Sequence, residues 1–234
     1  MSVVSLASRF IIECIFPIYC LGCEKEGEWL CSQCLAGIDA RGVECCPVCH
    51  RITPYGICCV ECRDKSSLDH VIATTQYNEK WLIGQLIHIV KYSYASEASR
   101  FFDCLISDWY KSHAQSLKGI DLIIPVPLHR GRLALRGFNQ SDMIAQALCD
   151  LAKIECASAM VRVRPTKRQA LLSRKDRTKN VLDAFLVKEP DLVVGKHVML
   201  VDDVYTTGST MQACARELIS AGAASVSGFI LARG

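Results

Sequence analysis

The sequence predicts an α/β domain over residues 67–234, a mostly parallel sheet covered by helices, preceded by a small cysteine-rich module over residues 1–66. Of the 15 cysteines, 11 lie between Cys14 and Cys62, and this density falls away near Asp64 to Leu68. From there onward, apolar stretches rich in β-branched residues alternate with stretches whose apolar residues recur at helical spacing, the order of a parallel, helix-covered sheet. The chain has 234 residues, half of them hydrophobic and 22% charged. It is long enough for two unequal units and apolar enough to bury a real core.

The first 20 residues are apolar but carry Arg9 and Glu13 and lack a basic leader before an unbroken apolar run, so they read as a helix packed on the rest of the chain. No later stretch reaches the ~18–20 uncharged apolar residues of a membrane span. The expectation is a soluble cytoplasmic protein, with peripheral membrane contact through the first helix as the alternative. Val71 to Gln76 is rich in β-branched residues and reads as a strand. Trp81 to Lys91 places Trp81, Leu82, Leu86, Ile89 and Val90 at helical spacing, and a second helix spans Glu97 to Tyr110. Asp121 to Pro127 reads as a buried strand ending in proline-rich loop chemistry, and Asn139 to Lys153 as the next helix. The same order recurs in the strand His197 to Val201, a loop Asp202 to Gly208, a helix Ser209 to Ser220 closed by Gly222, and a strand Ser225 to Leu231.

Four C-x-x-C pairs stand in the cysteine-rich block: Cys20/Cys23, Cys31/Cys34, Cys46/Cys49 and Cys59/Cys62. A secreted disulfide scaffold spreads its bridges through a small domain behind a signal peptide, whereas pairs of this spacing read as metal ligands in a reducing compartment. Two pairs make one tetrahedral thiolate zinc site, so eight ligands fit two structural zinc ions. The pairs combine either in sequence or cross-braced. Cys45 and Cys58 sit beside ligands and could replace them, and Cys14 stands outside the pattern. Cys149, Cys156 and Cys214 fall among apolar positions and read as core residues. Residues 20–62 carry three basic and six acidic side chains, and thiolate zinc sites add negative charge, so this block would repel a phosphate backbone.

The most specific signal is Val198-Met-Leu-Val-Asp-Asp-Val-Tyr-Thr-Thr-Gly-Ser-Thr210. A hydrophobic strand delivers Asp202 and Asp203 to its carboxyl end, where ligands bind in open α/β sheets. Thr206, Thr207, Gly208, Ser209 and Thr210 then offer hydroxyls and backbone N–H groups at the positive end of a helix, an anion cradle. Acids for vicinal hydroxyls beside a cradle for phosphate suit a ribose 5-phosphate. No G-x-x-x-x-G-K-[ST] occurs, which excludes a P-loop.

The whole chain carries a formal charge of only +3, too little for nucleic-acid binding by overall electrostatics. Basic charge is instead local, in two loops. Pro125 to Gln140 carries His129 with Arg130, Arg132 and Arg136 and no acid, and the segment from Arg162 to Lys179 holds eight basic residues against Asp176. Charge of this density suits a polyanion such as pyrophosphate.

The Asp-Asp-x-x-Thr-Thr-Gly loop resembles the motif of type I phosphoribosyltransferases that binds 5-phosphoribosyl 1-pyrophosphate (PRPP). The resemblance implies that Asp202 and Asp203 take the ribose hydroxyls and that Thr206 to Thr210 take the 5′-phosphate. Pro-Val-Pro-Leu-His-Arg followed by Arg-Gly-Phe-Asn-Gln, Arg168-Gln-Ala-x-Leu-Ser-Arg174 with Arg177-x-x-Asn-Val181, and the N-terminal double zinc ribbon narrow it to the ComF family. By that resemblance Pro127 to Arg136 would hold pyrophosphate, and Arg168 to Asn180, with Arg174 and Arg177, would form a hood over PRPP. Lys91-Tyr92 is similar to the family's Lys-Tyr-Gly turn, but Ser93 and Tyr94 follow where Gly is common, and a contact from Lys91 is left open.

Two functions follow from the resemblance. One is a Mg²⁺-dependent transfer of phosphoribosyl from PRPP to a nitrogen nucleophile, with pyrophosphate released. The other is a non-catalytic PRPP-sensing or single-stranded-DNA-handling adaptor in competence or DNA-uptake machinery at the inner face of the membrane. An acceptor pocket with a general base would decide for the enzyme, and the sequence offers no clear candidate for one.

Overall fold

The computed structural model describes residues 17–92, 96–165 and 183–234. The expected first helix, Cys14, and the basic residues Arg168, Arg174 and Arg177 lie outside the described residues. Strands in chain order are β1 (Val43–Glu44), β2 (Val71–Gln76), β3 (Leu122–Pro125), β4 (Glu155–Cys156), β5 (Met160–Arg162), β6 (Phe185–Val187), β7 (His197–Tyr205) and β8 (Ser225–Arg233). Helices are α1 (Ser32–Ala36), α2 (Leu82–Tyr92), α3 (Arg100–His113), α4 (Arg130–Arg136), α5 (Gln140–Ala152) and α6 (Ser209–Ser220).

Six strands form one sheet in the order β1-β2-β8-β7-β3-β4. Its pairings are parallel from β2 to β4, and β1 alone runs antiparallel, with Val43 opposite Ala73. The mostly parallel sheet agrees with the alternation in the sequence. The cysteine-rich segment supplies the antiparallel edge, which is too short to show any periodicity.

The period-2 alternation of each strand sorts its apolar side chains between two cores. Met199 and Val201 of β7 join Ile123, Phe229 and Leu231 on the face covered by α2, α3 and α5. Val198 and Leu200 join Leu122, Ile124 and Ile230 on the face covered by α6 and the antiparallel pair β5–β6. On α3, Phe101, Phe102, Leu105, Ile106 and Trp109 form one buried stripe, and Trp109 meets Phe229 edge-on with ring centroids 5.0 Å apart. At the start of α5 the Asn139 side chain accepts from the Ser141 N–H, an N-cap that sets where this helix begins.

These two faces also locate the crevice. From β3 the chain passes through α5 on one face to β4, away from the centre, whereas from β7 it passes through α6 on the other face to β8. Direction reverses between β3 and β7, and in open α/β sheets ligands bind beyond the carboxyl ends of strands at such a point.

Three expectations need correction. Asp202 to Tyr205 lie within β7, not in a loop, because β8 pairs with β7 as far as Tyr205 opposite Arg233. Arg130 to Arg136 form α4, not a loop, capped by His129, whose side chain accepts from the Gly131 N–H at 3.2 Å, and by left-handed Gly137. Cys156 is exposed on the edge strand β4, while Cys149 and Cys214 are buried as expected. Among the described residues no helix is long and apolar enough to cross a membrane.

Candidate functional site

At the carboxyl end of β7 the two adjacent acids lie in different surroundings. Asp202 accepts from the Ser141 hydroxyl and from the Asp203 N–H, both at 2.9 Å. Asp203 pairs with Lys91 Nζ at 2.7 Å, with side chains only 10% and 20% exposed. Burial first, and then repulsion from Asp203, push the Asp202 carboxyl up to about 6, against the opposing pull of Lys91, the Asp203 N–H and Ser141. The site thus holds one firmly paired carboxylate beside one that protonates in mildly acidic solution.

The 206–210 loop follows directly. Gly208 is the N-cap of α6, with φ +71°, a left-handed conformation natural to glycine. A Cβ there would lie 2.1 Å from the Tyr205 hydroxyl, so the loop also runs close over the Tyr205 ring. The Thr207 and Ser209 hydroxyls meet at 2.9 Å, and Ser209 is buried at the first turn of α6. The loop combines hydroxyls with the positive end of a twelve-residue helix, as the sequence predicts.

On the β3 side, α4 presents Arg130, which is exposed, with Arg132 and Arg136 half-buried. Arg136 donates to Gln140 Oε1 at 2.7 Å and lies over the Tyr92 ring, 5.2 Å from its centroid. The backbone of His129 pairs in a parallel β-bridge with that of Arg162, whose side chain is buried against the Phe185 ring. The positions of Arg168, Arg174 and Arg177 relative to this crevice lie outside the described residues.

Sequence reading missed Ser141 and left Lys91 open. The signal for Ser141 was its place just after the Asn139 cap, in the first turn of a helix aimed at the strand ends. For Lys91 only its position near the end of α2 was available, and its partner is remote in sequence. Replacing Lys91 with Met is expected to cost about 2–3 kcal/mol at pH 8, below the 3–5 kcal/mol of a fully buried pair because both groups keep some solvent. Thermal melts should show the deficit shrinking as pH falls through about 6, where protonation of Asp202 relieves its repulsion with Asp203; a deficit independent of pH would argue against this role.

The cysteine pairs combine in sequence. Cys20, Cys23, Cys31 and Cys34 bring their sulfurs within 4.8 Å of one another, as do Cys46, Cys49, Cys59 and Cys62. Cross-bracing is therefore not used, and Cys45 and Cys58 fall outside both quartets. Four ligands at the Zn–S distance of about 2.3 Å stand about 3.8 Å apart at tetrahedral angles. Cys23–Cys31 and Cys49–Cys59 each lie 3.7 Å apart. Burial would raise the Cys20 thiol, but N–H groups of Cys31, Gly22 and Cys23 bring it down to about 6. At Cys34, hydrogen bonding with Cys31 and burial push the thiol up to about 12. Such a quartet cannot hold four thiolates without a cation, and both clusters suit a closed structural zinc site.

A phosphoribosyl transferase domain matches residues 142–233. The chain is 34% identical over 217 residues to DNA utilization protein YhgH of Shigella flexneri, spanning 88% of this chain and 92% of that one. It is 36% identical over 137 residues to competence protein F of Haemophilus influenzae, 58% of this chain and 59% of that one. With competence protein ComFC of Bacillus subtilis the identity is 26% over 218 residues, 89% and 86% of the two chains.

Proposed function

The chain belongs to the ComF family of phosphoribosyltransferase-domain proteins, which holds the YhgH and competence F relatives, and from that membership we propose that it binds PRPP and transfers its phosphoribosyl group to an acceptor. The observation that carries this reading is the direct succession of two strand-end acids and a hydroxyl-rich loop at a helix N-terminus. Asp202 and Asp203 accept from the ribose hydroxyls, with Lys91 and Ser141 holding the two carboxylates in place. Thr206 to Thr210 take the 5′-phosphate. Arg130, Arg132 and Arg136 of α4, with Arg168, Arg174 and Arg177 of the basic segment, stabilise departing pyrophosphate by charge. Mg²⁺ bound to the pyrophosphate would supply further charge neutralisation beside these basic residues. The acceptor is a nitrogen nucleophile attacking C1, and the eight thiols of the two quartets hold zinc in a purely structural role.

Incubation with PRPP, Mg²⁺ and a panel of bases and amines should release pyrophosphate, and Asp202→Asn with Asp203→Asn together should lower release by at least about 100-fold, the scale of one lost electrostatic contact in a closed site. Absence of PRPP binding to wild type in calorimetry would overturn the reading. The pH dependence has two opposite signs. The folded Asp202 value of about 6 lies above its ordinary 3.8, so its protonation stabilises the fold at low pH and that contribution is lost as pH rises through 6. PRPP binding needs the carboxylate and should weaken as pH falls through 6, by at most tenfold per unit. The Asp202→Asn protein should lose that component of the profile, leaving only titration of the ligand's own phosphates.

The names of the relatives favour a second reading, a PRPP-responsive adaptor that handles single-stranded DNA. PRPP binding with no release across the panel would select it. DNA binding should then fall steeply with salt and compete with PRPP for the basic residues.

A further inference from the structure

The second cysteine quartet and its flanks are tied to the surroundings of the phosphate-side loop through three side chains, Tyr205, Arg233 and Gln212. Tyr205, the last residue of β7, is 2% exposed, and its hydroxyl donates to the Pro47 carbonyl at 2.8 Å. Pro47 lies inside the Cys46-Pro-Val-Cys49 turn. Arg233, at the end of β8 and 3% exposed, donates to the Cys45 carbonyl at 2.8 Å and to the Cys46 carbonyl at 2.6 Å. Its guanidinium lies over the Tyr205 ring, 5.0 Å from the centroid. From α6, Gln212 Nε2 donates to the Ser66 hydroxyl at 2.8 Å, and Gln212 Oε1 accepts from the Ser67 N–H at 2.9 Å. The chain is thus gripped both before and after this quartet, and the same Tyr205 ring lies directly beneath Gly208.

The first quartet is placed differently. Cys20 and Cys31, with Leu30, pack into the core that holds Ile83, Leu86 and Ile87 of α2.

We propose that Tyr205 is a positioning residue through which the metal-loaded second quartet holds the 206–210 loop in its anion-binding shape. Metal on Cys46 and Cys49 fixes the turn between them and with it the carbonyls of Cys46 and Pro47. Those carbonyls anchor a buried guanidinium and a buried phenol, groups that cannot be left without partners in an apolar setting. The phenol ring in turn leaves only enough room above it for a glycine. Loss of metal from this quartet frees the anchor, and the loop relaxes with it, whereas loss from the first quartet does not reach the loop by this route. The inference rests on the phosphate-binding reading of the loop for its functional meaning, but not for its mechanical content.

The test uses the full-length, zinc-loaded chain and three readouts: hydrogen exchange in the segment 204–212, zinc release to a chromogenic chelator, and PRPP calorimetry. Tyr205→Phe keeps the ring and removes the hydroxyl, with its bond to Pro47 and its interaction with Gln212. It is expected to speed loop exchange and zinc release from one of the two quartets roughly five- to tenfold, the effect of one buried neutral hydrogen bond. Arg233→Lys, which keeps the charge but not both carbonyl contacts, should act in the same direction. Exchange of β3 serves as the folding control, and loop exchange is read relative to it. Cys23→Ser in the first quartet, which destabilises the whole chain, should leave that ratio at the wild-type value. An unchanged ratio in both Tyr205→Phe and Arg233→Lys, or an equal rise in the ratio in Cys23→Ser, would overturn the proposal. Wild type that binds no PRPP but shows the coupled exchange would defeat the phosphate reading alone, and PRPP binding without coupled exchange would defeat the coupling alone.

Discussion

Removing metal from the eight clustered thiols is expected to be the most damaging single treatment of this chain. Metal analysis of the reduced protein should find two zinc ions, one for each quartet of sulfurs. Structural zinc contributes on the order of 10 kcal/mol to folding of the segment that binds it, while a whole domain is stable by only about 5–15 kcal/mol. Here the segment is not a detachable appendage. Val43 and Glu44 complete the edge of the main sheet, and Cys20, Leu30 and Cys31 are part of the same core as α2 and α3. Chelation should therefore lower the melting temperature of the whole protein, not merely unravel its N-terminal third. A loss of about 5 kcal/mol corresponds to roughly 10–20 °C for a chain of this size. Cys20→Ser or Cys46→Ser should reproduce most of this, and Cys104→Ser, an exposed thiol outside both quartets, should not. Stability indifferent to a strong chelator would remove metal from the account.

Gly208→Val should be nearly as severe, for a reason that lies under the loop as well as above it. A β-branched residue at φ +71° pays backbone strain of about 1–2 kcal/mol. The new Cβ would also stand 2.1 Å from the Tyr205 hydroxyl and 2.3 Å from Cζ, a clash that only movement of the buried ring can relieve. Moving the ring breaks its bond to Pro47 and disturbs Arg233. Strain and overpacking together should cost about 3–5 kcal/mol, seen as a melting temperature lower by roughly 10 °C, together with loss of PRPP binding. Gly208→Ala should follow in the same direction, because its Cβ occupies the same point. A variant with wild-type stability but no PRPP binding would mean that the ring yields easily and that glycine serves only the ligand.

The placement of elements was largely legible. The strand Val71–Gln76 and the helix Ser209–Ser220 occupy the residues that pattern and turn chemistry predict. The misplaced elements have local causes. Asp202 and Asp203 look like loop residues, yet they continue β7 because β8 pairs with it on both sides of Asp203, at Asp202 and again at Val204 and Tyr205. The segment from Arg130 to Arg136 lacks a buried stripe, so its helix is held by its two caps and leaves no apolar period to read.

What the sequence determined by itself is what short-range chemistry dictates. The spacing of C-x-x-C pairs, the alternation of strands and helices, and the acid-to-glycine run at one strand end are complete within a few residues, and their physical consequences need no partner. Tertiary structure alone decided which cysteine pairs come together, that Lys91 meets Asp203, that Ser141 reaches an acid 61 residues away, and that Tyr205 bonds to a carbonyl 158 residues earlier. The last three are polar contacts at the carboxyl end of β7, where burial makes a partner obligatory without saying which one. The identity of that partner depends on how α2, α5 and the second cysteine quartet pack around the ends of β7 and β8, and no local pattern records it.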